Sequence, residues 1–358
     1  MTASEHMAAA LFHAERARPW SSPNPAVGAI VVTSDGVVVG HGATEPAGHR
    51  HAEIVALDMA GARARGATLY CTLEPCCHTG RTGPCVDRIA ADGVVRVVAS
   101  LEDPNPLVSG RGFQSLRDRG VEVDVGPGAQ RAREINQPFF TAISTGRPFV
   151  ILKAAMSTDG SVAQAADRRT QLTSAAANLH AHLTRAEVDA IAVGVNTVNV
   201  DDPLLTVRGV YRHRPLVRVV FDRRLRTLPT ARLLSTGDTG PVIIVTGPEA
   251  AAGARRSLEA AGASIEVVED GTVASALRML AAKGIRSVLL EGGPTLQRAA
   301  WDERVVDFVR LYVTPHVIGP GGLPFLLGAR FATGSLLARR ARSLGPDSLV
   351  EGYVHGPH

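Results

Sequence analysis

Four cysteines fall at positions 71, 76, 77 and 85, within fifteen residues, and the rest of the 358-residue chain has none. A disulfide framework spreads its cysteines to staple distant loops, whereas thiols crowded into one stretch suit a metal. Upstream stands His51-Ala52-Glu53, and Pro75 directly precedes Cys76. A catalytic zinc takes three protein ligands and keeps a fourth position open. One neutral imidazole, His51, and two thiolates, Cys76 and Cys85, satisfy that count. At a helix start, residues two apart diverge, so His51 can face a metal while Glu53 leans over the open position as a proton carrier.

A structural zinc site closed by the four cysteines and His78 is the competing reading. Glu53 after His51 and Pro75 before Cys76 favour the catalytic one. Cys71 reads as a small buried strand residue and Cys77 as packing; His78 reads equally as a substrate contact or a loop histidine. A histidine and glutamate upstream of proline and two cysteines is the pattern of zinc-dependent nucleobase deaminases. Their common spacing is P-C-x-x-C, but here eight residues separate Cys76 from Cys85.

A chain of this length exceeds one ordinary core, so two domains are expected. Up to about residue 145, helix and strand alternate. Apolar residues over Met7–Ala17 give a helix that Pro23-Asn24-Pro25 ends, and Ala26–Val32 and Val37–Val39 form a hairpin across Asp35-Gly36. Helices follow at Glu53–Ala64, Val86–Ala91 and Phe113–Arg119, with strands at Thr68–Thr72, Val94–Ala99 and Val121–Val125. Ser144 to Pro148 has loop chemistry, which puts the boundary between domains 1–145 and 146–358 there. Beyond it, strands are expected at Phe149–Leu152, Ala190–Val193, Val217–Phe221, Val242–Val245, Val288–Leu290 and Phe308–Val313. Helices are expected at Ala175–Arg185, Ala250–Ala261, Val273–Ala282 and Thr295–Arg304. That alternation implies an α/β chain whose second half is a mostly parallel sheet covered on both faces.

The formal net charge is +4 and the pI near 9.1, with arginines scattered rather than clustered. A nucleic-acid groove needs a concentrated basic face and, for single strands, exposed aromatics, yet aromatic residues make up 4%. A phosphorylated small molecule fits better than nucleic acid. No apolar run approaches the ~20 residues of a membrane span, and Met1 to Arg18 lacks the order of a secretory signal. A cytoplasmic location and no membrane partner are expected.

Several motifs together resemble the bifunctional riboflavin-biosynthesis deaminase/reductase family. They are Asn24-Pro25-Ala26-Val27-Gly28, Gly48 to Glu53, Thr72-Leu73-Glu74-Pro75-Cys76 through Cys85, and Glu102-Asp103-Pro104-Asn105-Pro106. In the second half they are Lys153, Asp159-Gly160, Val193-Gly194, Asp201 through Arg208, and Glu291-Gly292-Gly293-Pro294-Thr295-Leu296. The resemblance implies a cytidine-deaminase-like α/β/α first domain that uses Zn2+ to deaminate 2,5-diamino-6-ribosylamino-4(3H)-pyrimidinone 5′-phosphate. It implies a dihydrofolate-reductase-like second domain that uses NADPH to reduce the ribosyl group to ribityl. It places cofactor contacts at Ala155, Gln171, Thr197, Asp201, Gly292, Gly293, Pro294, Thr295 and Leu296. Substrate contacts fall at Asn24, Lys153, Arg185, Leu205, Arg208 and Glu291. A homo-oligomer with an apolar sheet edge is implied as well. The segment from Ser161 to Gln171 departs from the family: Arg169 replaces the usual serine and Gln171 the usual tryptophan, which removes a flat apolar wall. The alternative is therefore an active deaminase with an impaired or structural reductase-like domain.

Overall fold

The computed structural model describes residues 2–78, 83–165, 167–168 and 170–356. Arg169, singled out above, lies outside them. Internal contacts divide the chain into two compact units that meet between Thr145 and Gly146.

The first unit runs α1 (Ala3–Ser21), β1 (Gly28–Val32), β2 (Val38–Ala43), α2 (Ala52–Ala60), β3 (Thr68–Cys71), α3 (Cys85–Ala91), β4 (Arg96–Ala99), α4 (Arg111–Asp118), β5 (Glu122–Val125) and α5 (Ala129–Thr145). The sheet order is β2-β1-β3-β4-β5, antiparallel at β2-β1-β3 and parallel from β3 on. Side chains alternate between its faces, as the pleat requires. Ala29, Val31, Leu69, Cys71 and Val97 meet α2, α3 and α4, while Ile30, Val32, Tyr70 and Val98 meet Met7 and Ala10 of α1. The result is the α/β/α layering expected.

Helix α2 lies unusually close to β2. A Cβ on Gly42 would sit 2.2 Å from the Ala52 carbonyl oxygen, and one on Gly40 would sit 2.1 Å from that of Ala56. Helix α5 is a difference from the sequence reading, which ended this unit at β5 and put Ser144 and Thr145 in a loop. Pro138 lies within α5, and Gly126-Pro127-Gly128 precedes it, so local punctuation conceals a helix that tertiary burial of Ala132, Ile135 and Phe140 supports.

The second unit contains β6 (Phe149–Ser157), β7 (Ser161–Ala163), α6 (Ala175–Glu187), β8 (Ala190–Gly194), α7 (Val195–Asp201), β9 (Val217–Phe221), β10 (Val242–Thr246), α8 (Ala252–Ala260), β11 (Ala263–Val267), α9 (Val273–Ala282), β12 (Ser287–Gly292), α10 (Pro294–Asp302), β13 (Phe308–Thr314), β14 (Leu323–Pro324), β15 (Leu337–Leu344) and β16 (Asp347–Tyr353). Its main sheet has the order β11-β10-β9-β8-β12-β6-β13-β16-β15. All pairs are parallel up to β13, and β16 and β15 are added antiparallel. Helices α9 and α10 cover one face, and α7 and α8 pack with the other. The edge strand β15 is exposed along most of its length and carries Arg339, Arg340 and Arg342, so this edge is basic rather than apolar.

The seat of α2 yields the first test. Gly42→Ala is expected to force α2 off β2 and lower stability by about 1–3 kcal/mol, the usual cost of overpacking, read as a lower urea midpoint with an unchanged slope.

Candidate functional site

His51 is the N-cap of α2, with extended backbone (φ −77°, ψ 159°) and no capping bond from its side chain. Its ring instead turns toward the cysteines. Nδ1 lies 3.3 Å from Cys85 Sγ and 3.5 Å from Cys76 Sγ. Cys85 begins α3, and its backbone N–H donates to Cys76 Sγ at 3.3 Å. The ligating atoms of His51, Cys76 and Cys85 all lie within 4.8 Å of one another.

The second thiol and the Cys85 N–H favour the Cys76 thiolate, which lies well below the ordinary thiol range, while the same pairing and burial push Cys85 up. One imidazole beside two sulfurs, one of them primed as thiolate, suits zinc in donor type and in number. Cys71 is fully buried in β3 and Cys77 turns its sulfur toward the Leu107 carbonyl (3.8 Å), so neither joins the cluster.

Glu53, one half-turn into α2, is 4% exposed. Burial pushes its carboxyl up to about 7, with His51 pulling the other way. His51, Glu53 and Cys76 line a cavity of about 260 Å3 together with Asn24, His49, His78, Asp103, Asn105 and Phe139. A pocket of that size admits one flat ring, with several polar side chains around it to orient it.

Two supports build this cavity, and the sequence reading gave neither a role. The buried Glu74 carboxylate accepts backbone N–H bonds from Asp103 (3.1 Å), Gly110 (3.0 Å), Gly112 (2.8 Å) and Phe113 (3.2 Å). It thereby gathers the 103–113 loop and the first turn of α4 beside Cys76. Asn136 of α5 accepts from Ala26 N–H (2.7 Å) and donates to Ala26 O (3.0 Å), which fixes the strand leaving Asn24. Asp103 is itself buried, and burial raises its carboxyl to about 6. A Glu-Asp-Pro-Asn run beside a metal motif was the available signal for it.

In the second unit the expected residues gather at the C-terminal ends of parallel strands, where open α/β sheets bind ligands. Glu291 near the end of β12 takes both oxygens' worth of Arg185, at 2.7 Å each, and Arg185 also donates to Thr206 O at 2.9 Å, next to Leu205. Lys153 of β6 faces this pair, and its carbonyl accepts from Gln297 (2.9 Å). Arg185 and Lys153 hold Glu291 down at about 2 despite its burial. His182 links to the exposed Arg208, whose N–H donates to Nδ1 at 3.2 Å.

Gly293 (φ +80°) caps α10, whose first residue is Pro294, and no side chain closes that helix start. A Cβ on Gly292 would press on Thr197 at 3.0 Å, and one on Gly293 would lie 3.6 Å from the Gly194 nitrogen at the equally uncapped start of α7. Two free helix starts on adjacent strands, with only glycine between them, fit the pyrophosphate of a dinucleotide. Thr295 is exposed and Leu296 buried in the core; Ala155 packs beside Tyr312. Asp201 ends α7. Gln171 is exposed, its amide donating to Thr173 O (3.3 Å).

The Arg185–Glu291 pair carries a pH signature. Glu291 is depressed below its unfolded value, so its contribution is present above about pH 4.5 and is lost as pH falls toward 2. Arg185→Ala leaves that carboxylate buried with only Lys153 and His182 facing it. It is expected to cost about 3 kcal/mol at pH 7, with the gap from the unmodified protein narrowing as pH falls from about 4.5 toward 2 in urea melts.

Two family models match the chain: the cytidine and deoxycytidylate deaminase zinc-binding region over residues 1–101, and the RibD C-terminal domain over residues 148–347. The riboflavin biosynthesis protein RibD of Aquifex aeolicus is 39% identical over 347 residues, covering 96% of each chain. That of Escherichia coli K12 is 38% identical over 328 residues, covering 88% of each. Among solved structures, Acinetobacter baumannii RibD matches with a TM-score of 0.86 at 34% identity over 97% of both chains. The Thermotoga maritima diaminohydroxyphosphoribosylaminopyrimidine deaminase/5-amino-6-(5-phosphoribosylamino)uracil reductase matches with a TM-score of 0.82 at 30% identity, again over 97% of both. Likeness along nearly the whole length, in sequence and in fold, places this chain in the RibD family of riboflavin-biosynthesis proteins.

Proposed function

We propose that this chain is a bifunctional enzyme of riboflavin biosynthesis. Its first unit replaces the exocyclic amine of 2,5-diamino-6-ribosylamino-4(3H)-pyrimidinone 5′-phosphate by oxygen. Its second unit then reduces the ribosyl group to ribityl with NADPH. The observation that carries the reading is a buried carboxyl beside a three-ligand cluster in a ring-sized cavity.

His51, Cys76 and Cys85 would hold Zn2+. When bound, the ion supplies Lewis-acid activation of water near neutral pH. Glu53 does the proton work: a carboxyl near 7 takes a proton from water and hands it to the departing amine, so that ammonia leaves. Asn24, Asp103 and Asn105 orient the pyrimidine from the cavity wall.

In the second unit Thr197, Gly292, Gly293, Pro294, Thr295 and Leu296 receive the cofactor, with Ala155, Asp201 and Gln171 as further contacts. Bound NADPH supplies a hydride. Arg185, Arg208, Leu205, Lys153 and Glu291 hold the sugar phosphate: the exposed Arg208 guanidinium donates to phosphate oxygens, while Arg185 fixes the Glu291 carboxylate, whose remaining lone pairs accept from sugar hydroxyls. The exposed Gln171 lends the alternative of an impaired reductase its one specific support.

No helix among the described residues is long and apolar enough to cross a membrane, which accords with a cytoplasmic enzyme.

Glu53→Gln tests the deaminase directly. The variant is expected to retain zinc at the unmodified stoichiometry while deamination falls by about 10²–10⁴-fold. Unchanged ammonia release from Glu53→Gln contradicts the assignment.

A further inference from the structure

Of the 38 lysines and arginines in this chain, two are lysines, Lys153 and Lys283. Lys283 lies at the surface beside Glu266 (2.7 Å). A chain that uses arginine almost everywhere has kept one enclosed lysine. Lysine offers what arginine does not: a compact ammonium that gives up its proton when water is withdrawn.

Lys153 is faced by Glu291 from β12, by Arg185 and His182 from α6 and by Tyr312 from β13, and it pairs in register with Arg310. Its Nζ sits 5.4 Å from the centre of the Tyr312 ring, within reach of a cation–π attraction. Enclosure and Arg185 push the amine down, and Glu291 pulls it up.

Tyr312 is wholly buried among Ala177, Ala181 and Leu349. Its hydroxyl lies 2.7 Å from Nδ1 of His180, and the Nε2 of that ring lies 2.6 Å from a guanidinium nitrogen of Arg342 on β15. Arginine can only donate. His180 Nε2 must therefore accept, which puts the ring proton on Nδ1 and makes it donate to the phenol oxygen. The charged groups around His180 are Arg310 and Arg342, which oppose protonation, and Glu351 and Glu187, which favour it; with burial the balance lies below the ordinary histidine value. The phenol then reaches Thr184, whose hydroxyl oxygen accepts from Arg310 (2.6 Å). The Thr184 hydroxyl proton goes to the His180 carbonyl (3.1 Å), which leaves its oxygen to accept.

We propose that Arg342, His180 and Tyr312 form a positioning relay that sets the orientation and charge of Lys153 in the reductase unit. Arg342 fixes the tautomer of His180, His180 fixes the Tyr312 ring, and the ring is the floor on which the Lys153 ammonium rests. None of the three is a catalytic residue. The inference rests on the reading of Lys153 as a neighbour of the reductase substrate or cofactor.

The scarcity of lysine makes the test direct. Full-length protein labelled with 13C at lysine Cε gives two lysine signals, with Lys283 as internal reference. His180→Ala is expected to lower the Lys153 titration midpoint by about half a pH unit, the size of an ordinary cation–π contact, while Lys283 stays in place. Arg342→Ala, at an exposed position where folding is safe, is expected to shift it in the same direction. Reductase kcat should fall about tenfold in both, with KM for NADPH changed by less than about twofold, as for a misplaced group that acts after binding. Lys153 titrations that superimpose on the unmodified protein in both variants overturn the relay, even if melting temperatures drop. Lys153→Met that oxidises NADPH at the unmodified rate overturns instead the underlying reading of Lys153, and does so independently of the titrations.

Discussion

The Ala52 and Ala56 carbonyls of α2 lie where the side chain of any residue other than glycine at positions 42 and 40 would be. That contact sets the depth of the helix start, and the deaminase site follows from it. His51 is left extended at the N-cap with its ring against the Cys76 and Cys85 sulfurs, and Glu53 is carried below the surface. Burial then does the electrostatic work, since a carboxylate without water is costly and holds its proton to higher pH. Cys76 meets this helix from the stretch after β3, where the Glu74 carboxylate gathers the 103–113 segment through four backbone N–H groups, and Cys85 meets it from the first residue of α3. A hinge or cavity at either support would spread the three ligating atoms before it changed any of them chemically.

The two units treat buried carboxylates in opposite ways, and the chemistry divides accordingly. At Glu53 burial outweighs the pull of His51, and the carboxyl rises to about 7, as suits a proton carrier. Glu291 has a bidentate arginine and falls to about 2, as suits a fixed charge that accepts hydrogen bonds. One rule, that a buried carboxyl must either find a partner or hold its proton, accounts for both.

Much of this was legible in the sequence where chemistry dictates residue type. His51, Glu53, Cys76 and Cys85 had to be what they are, and β10 is an apolar run, as β9 and β13 are apart from Arg218 and Arg310, so all three read as buried strands. What was hidden depends on distant partners. Glu74 looks like an ordinary acidic residue before Pro75, because its donors lie 29 to 39 residues away. Helix α7 is a single short piece after Gly194, too brief for periodicity to show. Strands β15 and β16 were missed because β15 reads as a charged surface run, and it is held by pairing with β16 rather than by burial. The network of His180, Tyr312 and Arg342 joins positions far apart in the chain, and only the sheet brings them together.

The most direct test of a two-step enzyme is mass spectrometry of the diaminopyrimidine phosphate incubated with zinc-quantified protein, with and without NADPH. The account requires one mass change, oxygen for amine, in the absence of NADPH. It requires a second, addition of a hydride and a proton, when NADPH is present. A product that stops at the first change whatever the NADPH supply would contradict the bifunctional reading, and an unaltered substrate would contradict the zinc site at its centre.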